Sequence, residues 1–390
     1  MGSQRVYRVK GAGYDGRMSA TPELVAWLSA MPKAELHLHL DGSLRPQTAL
    51  ELARTGGAID EDGRPMAVPA DLAAVRARLV APPRCRDQAE LLRAFELPVA
   101  LLQDVASLER CAAELAEDVA GDGTRYAEVR WAPSLHTRRG LTLTEVIDAV
   151  ARGTRRGSDG SRIAVRLIVV ALRSHPQGTA VEVARAAAGF AGDGVVGFDL
   201  AGVEREAPDP RHFAVAFDIA RAAGLGITCH AGEWGGAPQV RAALSIEPRR
   251  IAHGAPAIDD PDLVRELRRR DITLDICPTS NVQAGTFAEG ADAPLPRLIR
   301  AGVPVTISTD DRTVSDVTLP MELERAVTRY GITTGELLTA MRQAYRAAFL
   351  HHDEALRTQL LADFEAWLAL HPRPETLTAH TSPAGHEGPA

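Results

Sequence analysis

The amino-acid sequence predicts an α/β protein, a (β/α)8 TIM barrel with a helical insertion after strand 1. Three features of the 390-residue chain indicate this fold. Eight short segments are apolar and rich in Val, Ile or Leu, which is typical of strands buried on both faces. Helical stretches lie between most of them, and several end at a glycine just before the next strand. Repeated alternation of strand and helix favours a closed parallel barrel.

The elements follow one another in a regular order, with one long interruption. The predicted strands cover residues 34–40, 125–131, 163–172, 195–200, 226–230, 250–253, 272–276 and 303–309. Predicted helices between them cover residues 143–152, 181–191, 212–223, 261–270 and 294–301. The segment between the first two strands is much longer than the other connections, with helical patterns over residues 89–102 and 108–119. We therefore expect a helical insertion, residues 44–121, that packs over the mouth of the barrel.

A single barrel domain is expected to span residues 20–371, between two tails. Residues 1–19 lack an apolar core, and residues 372–390 are rich in Pro, Thr and Gly, so we expect both to be disordered. The N-terminal residues show no signal-peptide pattern, and no apolar run is long enough to cross a bilayer. These features predict a cytoplasmic protein without a membrane partner.

Composition excludes several other classes of protein. Hydrophobic residues make up 45% of the chain and charged residues 24%, which is enough to build a sizeable core. The net charge of −7 and the absence of a basic face argue against nucleic-acid binding. None of the four cysteines forms a C-x-x-C pair, so neither a thiolate zinc site nor a disulfide framework is expected.

Polar residues cluster where the predicted strands end, which is where barrel enzymes carry their catalytic groups. His37 and His39 are two apart on strand 1, so both imidazoles point to one face. His230 at the end of strand 5 and Asp310 at the end of strand 8 supply further ligands. Imidazoles with one carboxylate suit zinc and leave a position for water. The sequence therefore predicts a site for one zinc ion, although a single histidine in isolation is usually a packed or surface residue.

Three further residues are candidates for catalysis beside the metal. Glu233 follows His230 in the strand 5 loop, and burial would raise its pKa so that it donates a proton near neutral pH. His253, at the end of strand 6, is expected to orient the attacking water, and Asp311 to bind a substrate heteroatom. Each also has a structural interpretation, as a salt-bridged loop residue, a core histidine or a turn aspartate. His136 and His175 follow strands 2 and 3, and their roles are left open.

Seven segments resemble the adenosine deaminase family and recur in family order. They are PKAELHLHLDGSL from Pro32, YAEVRWAP from Tyr126, VVGFDLAGVE from Val195, CHAGE from Cys229, RIAHG from Arg250, CPTSN from Cys277 and STDD from Ser308. The combination of HxHLDG, HAGE and TDD is highly specific. The resemblance implies a TIM barrel with one zinc ion and a small-molecule aminopurine nucleoside as its partner.

The resemblance also implies a role for each site residue. His37, His39, His230 and Asp310 correspond to the metal ligands, and His39 is counted with the substrate-binding residues as well. Glu233 would protonate purine N1, while His253 and Asp311 would hold the attacking water and the ring. The Gly202 N–H would meet N3, and Asp41 would bind the ribose 5′-hydroxyl. Water then adds at C6, N1 gains a proton and ammonia leaves, so adenosine and 2′-deoxyadenosine become inosine and deoxyinosine.

Two departures from the family pattern affect the sugar end of the site. Arg312 stands where many members have proline, and Val203 stands where an acidic residue is common. HLDG favours a nucleoside because adenine-specific relatives often carry HLEG. The first alternative is a deaminase of another 6-aminopurine compound, such as aminodeoxyfutalosine, adenine or a 5′-modified adenosine.

Other functions remain as alternatives from different classes. One is another amidohydrolase that cleaves an amide, lactone or phosphoester; the absence of lysine from VVGFDLAG argues for one metal rather than two. Another is a non-catalytic metal-binding barrel, although none of the expected site residues is missing. A cytidine-type deaminase is excluded because H-x-E with P-C-x-x-C is absent. The sequence leaves the oligomeric state open.

Overall fold

Parallel strands close into a barrel in the computed structural model, which describes residues 18–205, 208–374 and 378–379. The predicted (β/α)8 fold is confirmed. The strands are β1 (Met18–Ser19), β2 (Lys33–His39), β3 (Ala58–Ile59), β4 (Pro65–Met66), β5 (Thr124–Trp131), β6 (Ala164–Leu172), β7 (Val195–Ala201), β8 (Gly226–Ile227), β9 (His230–Ala231), β10 (Arg250–His253), β11 (Thr273–Ile276), β12 (Val305–Ile307) and β13 (Thr378–Ala379). The barrel runs from β2 through β5 to β12, and β8 and β9 together form its fifth strand.

Helices cover the outside of the barrel and its mouth. They are α1 (Pro22–Ala30), α2 (Pro46–Thr55), α3 (Leu72–Leu79), α4 (Gln88–Leu101), α5 (Val105–Gly121), α6 (Leu143–Ser158), α7 (Gln177–Ala188), α8 (Ala214–Ala222), α9 (Gly236–Ala243), α10 (Pro261–Arg269), α11 (Pro278–Gln283), α12 (Pro294–Arg300), α13 (Leu319–Thr328), α14 (Thr334–Ala347) and α15 (Glu354–Leu370). No helix within these described ranges is both long enough and apolar enough to cross a membrane.

The barrel closes at the residues that the sequence singles out as metal ligands. The Asp310 N–H donates to the His37 carbonyl over 3.0 Å, and the His39 N–H donates to the Asp310 carbonyl over 2.7 Å. These bonds join β2 to the segment after β12 in parallel register, with Leu38 opposite Asp310. The hydrogen bonds that close the barrel therefore also bring the side chains of His37, His39 and Asp310 close together.

Several predicted elements differ in extent from the observed ones, and the packing explains one of these differences. Helix α6 continues to Ser158, beyond the predicted end at residue 152. Gly153 and Gly157 do not end it, because they lie where α5 crosses and a Cβ at either position would overlap the α5 backbone. The helix predicted over residues 212–223 divides instead into a 3-10 turn, Pro210–Phe213, and α8.

The long connection after β2 contains α2, the β3–β4 hairpin, α3, α4 and α5. Side chains of the hairpin and of α4, among them Asp60, Met66 and Phe95, line the cavity at the mouth of the barrel. In contrast, α5 packs along α6 on the outside of the barrel. Much of the two expected tails lies outside the described residues; the parts inside include β1 and β13, which pair antiparallel.

Candidate active site

Three imidazoles and one carboxylate converge at the carboxyl ends of the strands. The Nε2 atoms of His39 and His230 lie 3.2 Å apart. Oδ1 of Asp310 lies 2.9 Å from Nε2 of His37 and 3.3 Å from Nε2 of His39. The four residues each offer one ligand atom within 4.8 Å of the others. The strand register brings them together, since β2 supplies two of them and β9 and the end of β12 supply the rest.

This donor set has the chemistry and spacing of a zinc site. Tetrahedral ligands about 2.0–2.1 Å from one zinc ion lie about 3.3 Å from one another, close to the separations found here. Burial lowers the pKa of His37 well below its usual value, and it lowers the pKa of His39 to about 3. Both imidazoles are therefore neutral near pH 7, which is the form that binds metal. The residues present fit zinc.

Two neighbouring side chains hold the ligands in place. Oδ2 of Asp199 lies 2.9 Å from Nδ1 of His230, and it also accepts a hydrogen bond of 2.9 Å from Nη1 of Arg130. The Ser280 hydroxyl donates to Oδ2 of Asp310 over 2.7 Å. Such partners fix the ring or carboxylate orientation of a metal ligand. Burial alone would raise the pKa of Asp199, but His230 and Arg130 outweigh it and keep the carboxylate ionised.

Glu233 and His253 face the same point as the ligand cluster. Nε2 of His253 lies 3.9 Å from Oε2 of Glu233 and 3.9 Å from Oδ2 of Asp310. The side chain of Asn281 approaches the other ring nitrogen of His253, with Nδ2 3.0 Å from Nδ1. Burial lowers the pKa of His253 to about 4, so its imidazole is neutral. Asn281 therefore holds the Nδ1 side of the His253 ring, while Nε2 faces Glu233 and Asp310.

The carboxyl groups of the site divide by charge state. Burial raises the pKa of Glu233 well above its usual range, and the nearby carboxylates of Asp310 and Glu204 add to the effect. Burial and Asp310 act in the same direction on the pKa of Asp311. For Asp310 burial also acts upward, but His37 and other surrounding histidines bring its pKa well below the usual value. The pKa of one carboxyl group is thus lowered beside two whose pKa values are raised, as expected when an acid and a potential metal ligand share a pocket.

The backbone at two site residues is left-handed. His253, with φ 67°, ends β10, and Asp310, with φ 65°, follows β12. Residues with a side chain seldom adopt this conformation. The turn directs the Asp310 carboxylate to the cluster while its N–H and carbonyl still pair with β2.

A cavity of about 480 Å³ opens from the four candidate metal ligands toward the insertion. His39, Asp41, Gly202 and Asp311 all line it, as do Glu233, His253, His230 and Asp310. Burial raises the pKa of Asp41 to about 6. The carboxyl group of Asp311 lies directly over Gly42, where a Cβ would overlap it. Every residue predicted to bind substrate therefore borders one space.

Other residues noted in the sequence lie elsewhere. His136 is buried outside the cavity, with Nδ1 2.8 Å from the Leu102 carbonyl, and His175 lines a separate surface pocket. Arg312 pairs with Asp122, its Nη1 2.7 Å from Oδ2. Its side chain does not line the cavity. All four cysteines are free and buried.

A second group of potential ligands shares Asp310 with the first. It consists of His253, Cys277 and Asp310. Burial raises the pKa of the Cys277 thiol well above its usual value, so the thiolate that a metal requires is disfavoured. The site with three imidazoles is the better metal centre.

Sequence reasoning missed the residues that support the site. Asp199, Ser280 and Asn281 stand in the strand-end segments VVGFDLAG and CPTSN, and their polar character in apolar surroundings was the available signal. Glu204 was also missed, although it ends the segment AGVE. It is only 1% exposed, which is unusual for a glutamate in a loop.

Comparisons with known proteins agree with this site. The family model for adenosine deaminase matches residues 32–365. The chain is 36% identical to an adenosine deaminase of Enterococcus faecalis over 324 residues, 83% of this chain and 94% of the relative. A Burkholderia ambifaria amidohydrolase solved with bound zinc superposes with a TM-score of 0.77 at 26% identity, covering 90% of this chain and 97% of that one. Arabidopsis ADAL complexed with IMP superposes with a TM-score of 0.77 at 30% identity, covering 88% and 99%.

Proposed function

This chain belongs to the adenosine deaminase family, and we propose that it is a hydrolytic deaminase that converts adenosine and 2′-deoxyadenosine to inosine and 2′-deoxyinosine, releasing ammonia. The observation that carries this proposal is the convergence of the ligand cluster, Glu233 and His253 at the end of one cavity. An aminohydrolase needs a nucleophilic water near the carbon that bears the amino group and a proton donor near the adjacent ring nitrogen, and the site holds side chains suited to both tasks.

We propose His37, His39, His230 and Asp310 as the residues that hold one zinc ion. Their spacing and neutral imidazoles support this assignment, and so does the zinc in the Burkholderia ambifaria amidohydrolase. When bound in such a site, zinc lowers the pKa of water to about 7 and so supplies a nucleophile near neutral pH.

The protonated carboxyl of Glu233 is proposed to give its proton to purine N1. Burial keeps that proton on the side chain near neutral pH, because the raised pKa disfavours the carboxylate. As N1 gains the proton, C6 becomes more electrophilic and the negative charge that develops on the ring is neutralised. The contribution is made in the transition state, where it lowers the barrier.

His253 and Asp311 are proposed to orient the attacking water and the ring. Nε2 of His253 faces both Glu233 and Asp310, so a water near it lies between the proton donor and the metal ligands. Asp311 borders the same cavity. Holding the water and the purine at a fixed separation removes much of the entropic cost of the reaction.

The wall of the cavity favours a nucleoside over a nucleotide. Beyond the metal end, its charged side chains are Asp60, Glu61, Glu96 and Arg138. Arg138 already donates through Nη1 to the Ile59 carbonyl over 3.1 Å. Three carboxylates against one guanidinium disfavour a 5′-phosphate, which carries a charge of about −1.5 to −2. We therefore propose an uncharged ribose end, held by Asp41, rather than the nucleotide found in the Arabidopsis ADAL complex.

Ammonia release and the ultraviolet change, followed with a panel of 6-aminopurines, test the proposal. The panel contains adenosine, deoxyadenosine, adenine, aminodeoxyfutalosine and AMP. We expect adenosine and deoxyadenosine to be the best substrates, and AMP to react at least about 100-fold more slowly. Turnover of aminodeoxyfutalosine or adenine in preference to adenosine would select the first alternative. No turnover of any member by the zinc-loaded chain would contradict the deaminase assignment.

A further inference from the structure

A buried carboxylate outside the described catalytic set is hydrogen-bonded to the loop that carries Glu233. Glu204 follows β7 and accepts hydrogen bonds from four consecutive backbone N–H groups. The donors are Gly232 (3.0 Å), Glu233 (3.1 Å), Trp234 (3.3 Å) and Gly235 (2.7 Å). Oε1 accepts from Glu233 and Oε2 from the other three.

These bonds fix the conformation of the loop. Successive N–H groups that turn toward one point form an anion-binding nest. Here the anion is supplied by the chain itself, across 28 to 31 residues of sequence. Gly235 lies so close to the carboxylate that a Cβ there would come within 2.9 Å of Oε2. Removing the carboxylate would leave four N–H groups without their acceptor.

Both sides of the Glu233 peptide are anchored. Its N–H donates to Glu204, and its carbonyl accepts a hydrogen bond of 2.7 Å from the Thr286 hydroxyl. Gln239 closes the arrangement by donating through Nε2 to the Glu204 carbonyl over 3.3 Å. The main chain is held on both sides, and the side chain of Glu233 extends from it toward His253 and the cavity.

The same segment also carries the group proposed to meet purine N3. Gly202 is two residues before Glu204 and lines the cavity. The segment is tied to the insertion through Gln88, whose Nε2 lies 3.4 Å from the Gly202 carbonyl and whose Oε1 lies 3.4 Å from the Glu204 N. Residues 202–204 therefore set the distance between the Gly202 N–H, proposed to meet N3, and the Glu233 carboxyl, proposed to protonate N1.

We propose that Glu204 is a positioning residue for deamination, which holds the Glu233 carboxyl and the Gly202 N–H in register with the purine ring. The inference rests on the proposed function for its catalytic consequence, but the hold on the loop is a property of the chain alone. Glu204 does not line the cavity, so it acts through Glu233 rather than on the substrate.

Kinetics of zinc-loaded variants measure the catalytic consequence. We expect Glu204→Ala to lower kcat for adenosine about 100-fold, with KM changed less than about threefold and zinc content unchanged, because the donor is misplaced while the cavity is intact. Glu204→Gln keeps an acceptor oxygen where Oε2 takes three bonds, and it should recover about a tenth or more of the wild-type kcat. As a matched control, Asp260→Ala removes a carboxylate that accepts two backbone N–H bonds at the start of α10, away from the cavity, and should leave kcat within about twofold.

A double variant separates positioning from independent catalysis. If Glu204 acts mainly through Glu233, then adding Glu204→Ala to Glu233→Gln should slow the reaction much less than Glu204→Ala slows the wild type. Fully additive losses would overturn the proposal. So would a rise in KM with unchanged kcat, or a loss of activity that merely follows loss of zinc.

Hydrogen exchange provides a readout that needs no substrate. In Glu204→Ala, the amides of Gly232, Glu233, Trp234 and Gly235 should exchange at least about tenfold faster, while those of β10 and β11 keep their protection. Unchanged exchange in this loop would overturn the proposal even if the chain deaminates no purine. Faster exchange together with an inactive wild-type chain would contradict the proposed function and leave the structural hold of Glu204 established.

Discussion

Nδ1 of His230 lies 2.9 Å from Oδ2 of Asp199, a carboxylate that is also hydrogen-bonded to Arg130 at the centre of the barrel. This contact joins the proposed metal centre to the buried ion pair between Asp199 and Arg130. It fixes which nitrogen of His230 is free to face the other ligands.

Removal of the charge on Asp199 is predicted to weaken zinc binding. In Asp199→Asn, His230 loses its ionic partner and its ring is held less firmly, so we expect zinc affinity to fall about 10–100-fold. Competition with a chromophoric chelator measures the affinity. Asp193→Asn, at an exposed aspartate that pairs with Arg155, is the control and should bind zinc normally. Equal affinity in both variants would contradict a role for Asp199 at the metal site.

Metal removal is predicted to abolish deamination and to lower thermal stability. A strong chelator should remove both activity and the zinc-dependent part of the melting temperature, and added zinc should restore both, because the ion binds only the folded chain. His37→Ala should show no zinc-dependent stabilisation. His351→Ala, which alters a histidine next to the Gly224 carbonyl far along the chain from the cluster, should behave as wild type. Stabilisation of His37→Ala by zinc would point to a different metal site.

A methyl group at position 42 is predicted to disable the site without altering any polar group. Because Asp311 lies against Gly42, Gly42→Ala must displace the Asp311 carboxyl, and we expect kcat/KM to fall about 100-fold or more. Steady-state kinetics with adenosine measure the loss. Gly178→Ala on α7 is the matched control, since nothing lies within 4 Å of the added Cβ. Wild-type kinetics in Gly42→Ala would show that the position of Asp311 is unimportant.

Glu233→Gln is predicted to stop proton donation while leaving the metal in place. The amide has the same size but cannot transfer the proton to N1, so we expect kcat to fall about 10²–10⁴-fold at unchanged zinc content. Activity assays paired with zinc analysis measure this. A near-normal rate in a zinc-loaded variant would exclude Glu233 as the donor.

Glu322 is predicted to make the stability of the fold depend on pH. Burial raises its pKa from 4.5 to about 7; Oε1 accepts the Thr279 N–H over 3.0 Å, whereas Oε2 has no partner among the described residues. Between pH 4.5 and 7 the folded chain keeps a proton that the unfolded chain releases, so stability falls as pH rises through this window and the full cost applies above it. Chemical unfolding of wild type and Glu322→Gln at pH 5 and pH 8 should show a difference between them that grows at pH 8 by on the order of 3 kcal/mol. A pH-independent difference would mean that Glu322 does not titrate in this range.

The sequence predicted the barrel and its strand ends because those features are local. Buried parallel strands are continuous apolar runs, and a histidine or aspartate that ends such a run is visible without knowing what lies opposite. The pair His37 and His39 also shares a face by strand periodicity alone. The family resemblance added the roles of Glu233, Asp41 and Gly202, which spacing does not supply.

What the sequence did not predict depends on contacts between distant segments. The Glu204 carboxylate reaches its nest only because the loops after β7 and β9 meet. No local pattern marks the four N–H groups that form the nest. The continuation of α6 past Gly153 has a similar origin: glycine lowers helix propensity, but close packing against α5 outweighs that local cost. The acidic wall of the cavity likewise comes from the insertion, whose placement over the mouth is a tertiary feature.

The left-handed backbone at His253 and Asp310 lowers the stability of the fold at two residues of the proposed active site. Each such residue costs about 1–3 kcal/mol relative to a relaxed conformation, and glycine would avoid that cost. Engineering for thermostability alone would therefore favour glycine at both positions and erase the chemistry that they serve. An engineer can therefore relieve a left-handed backbone at Glu247, Asp271 or Asp316, but has to leave His253 and Asp310 unchanged.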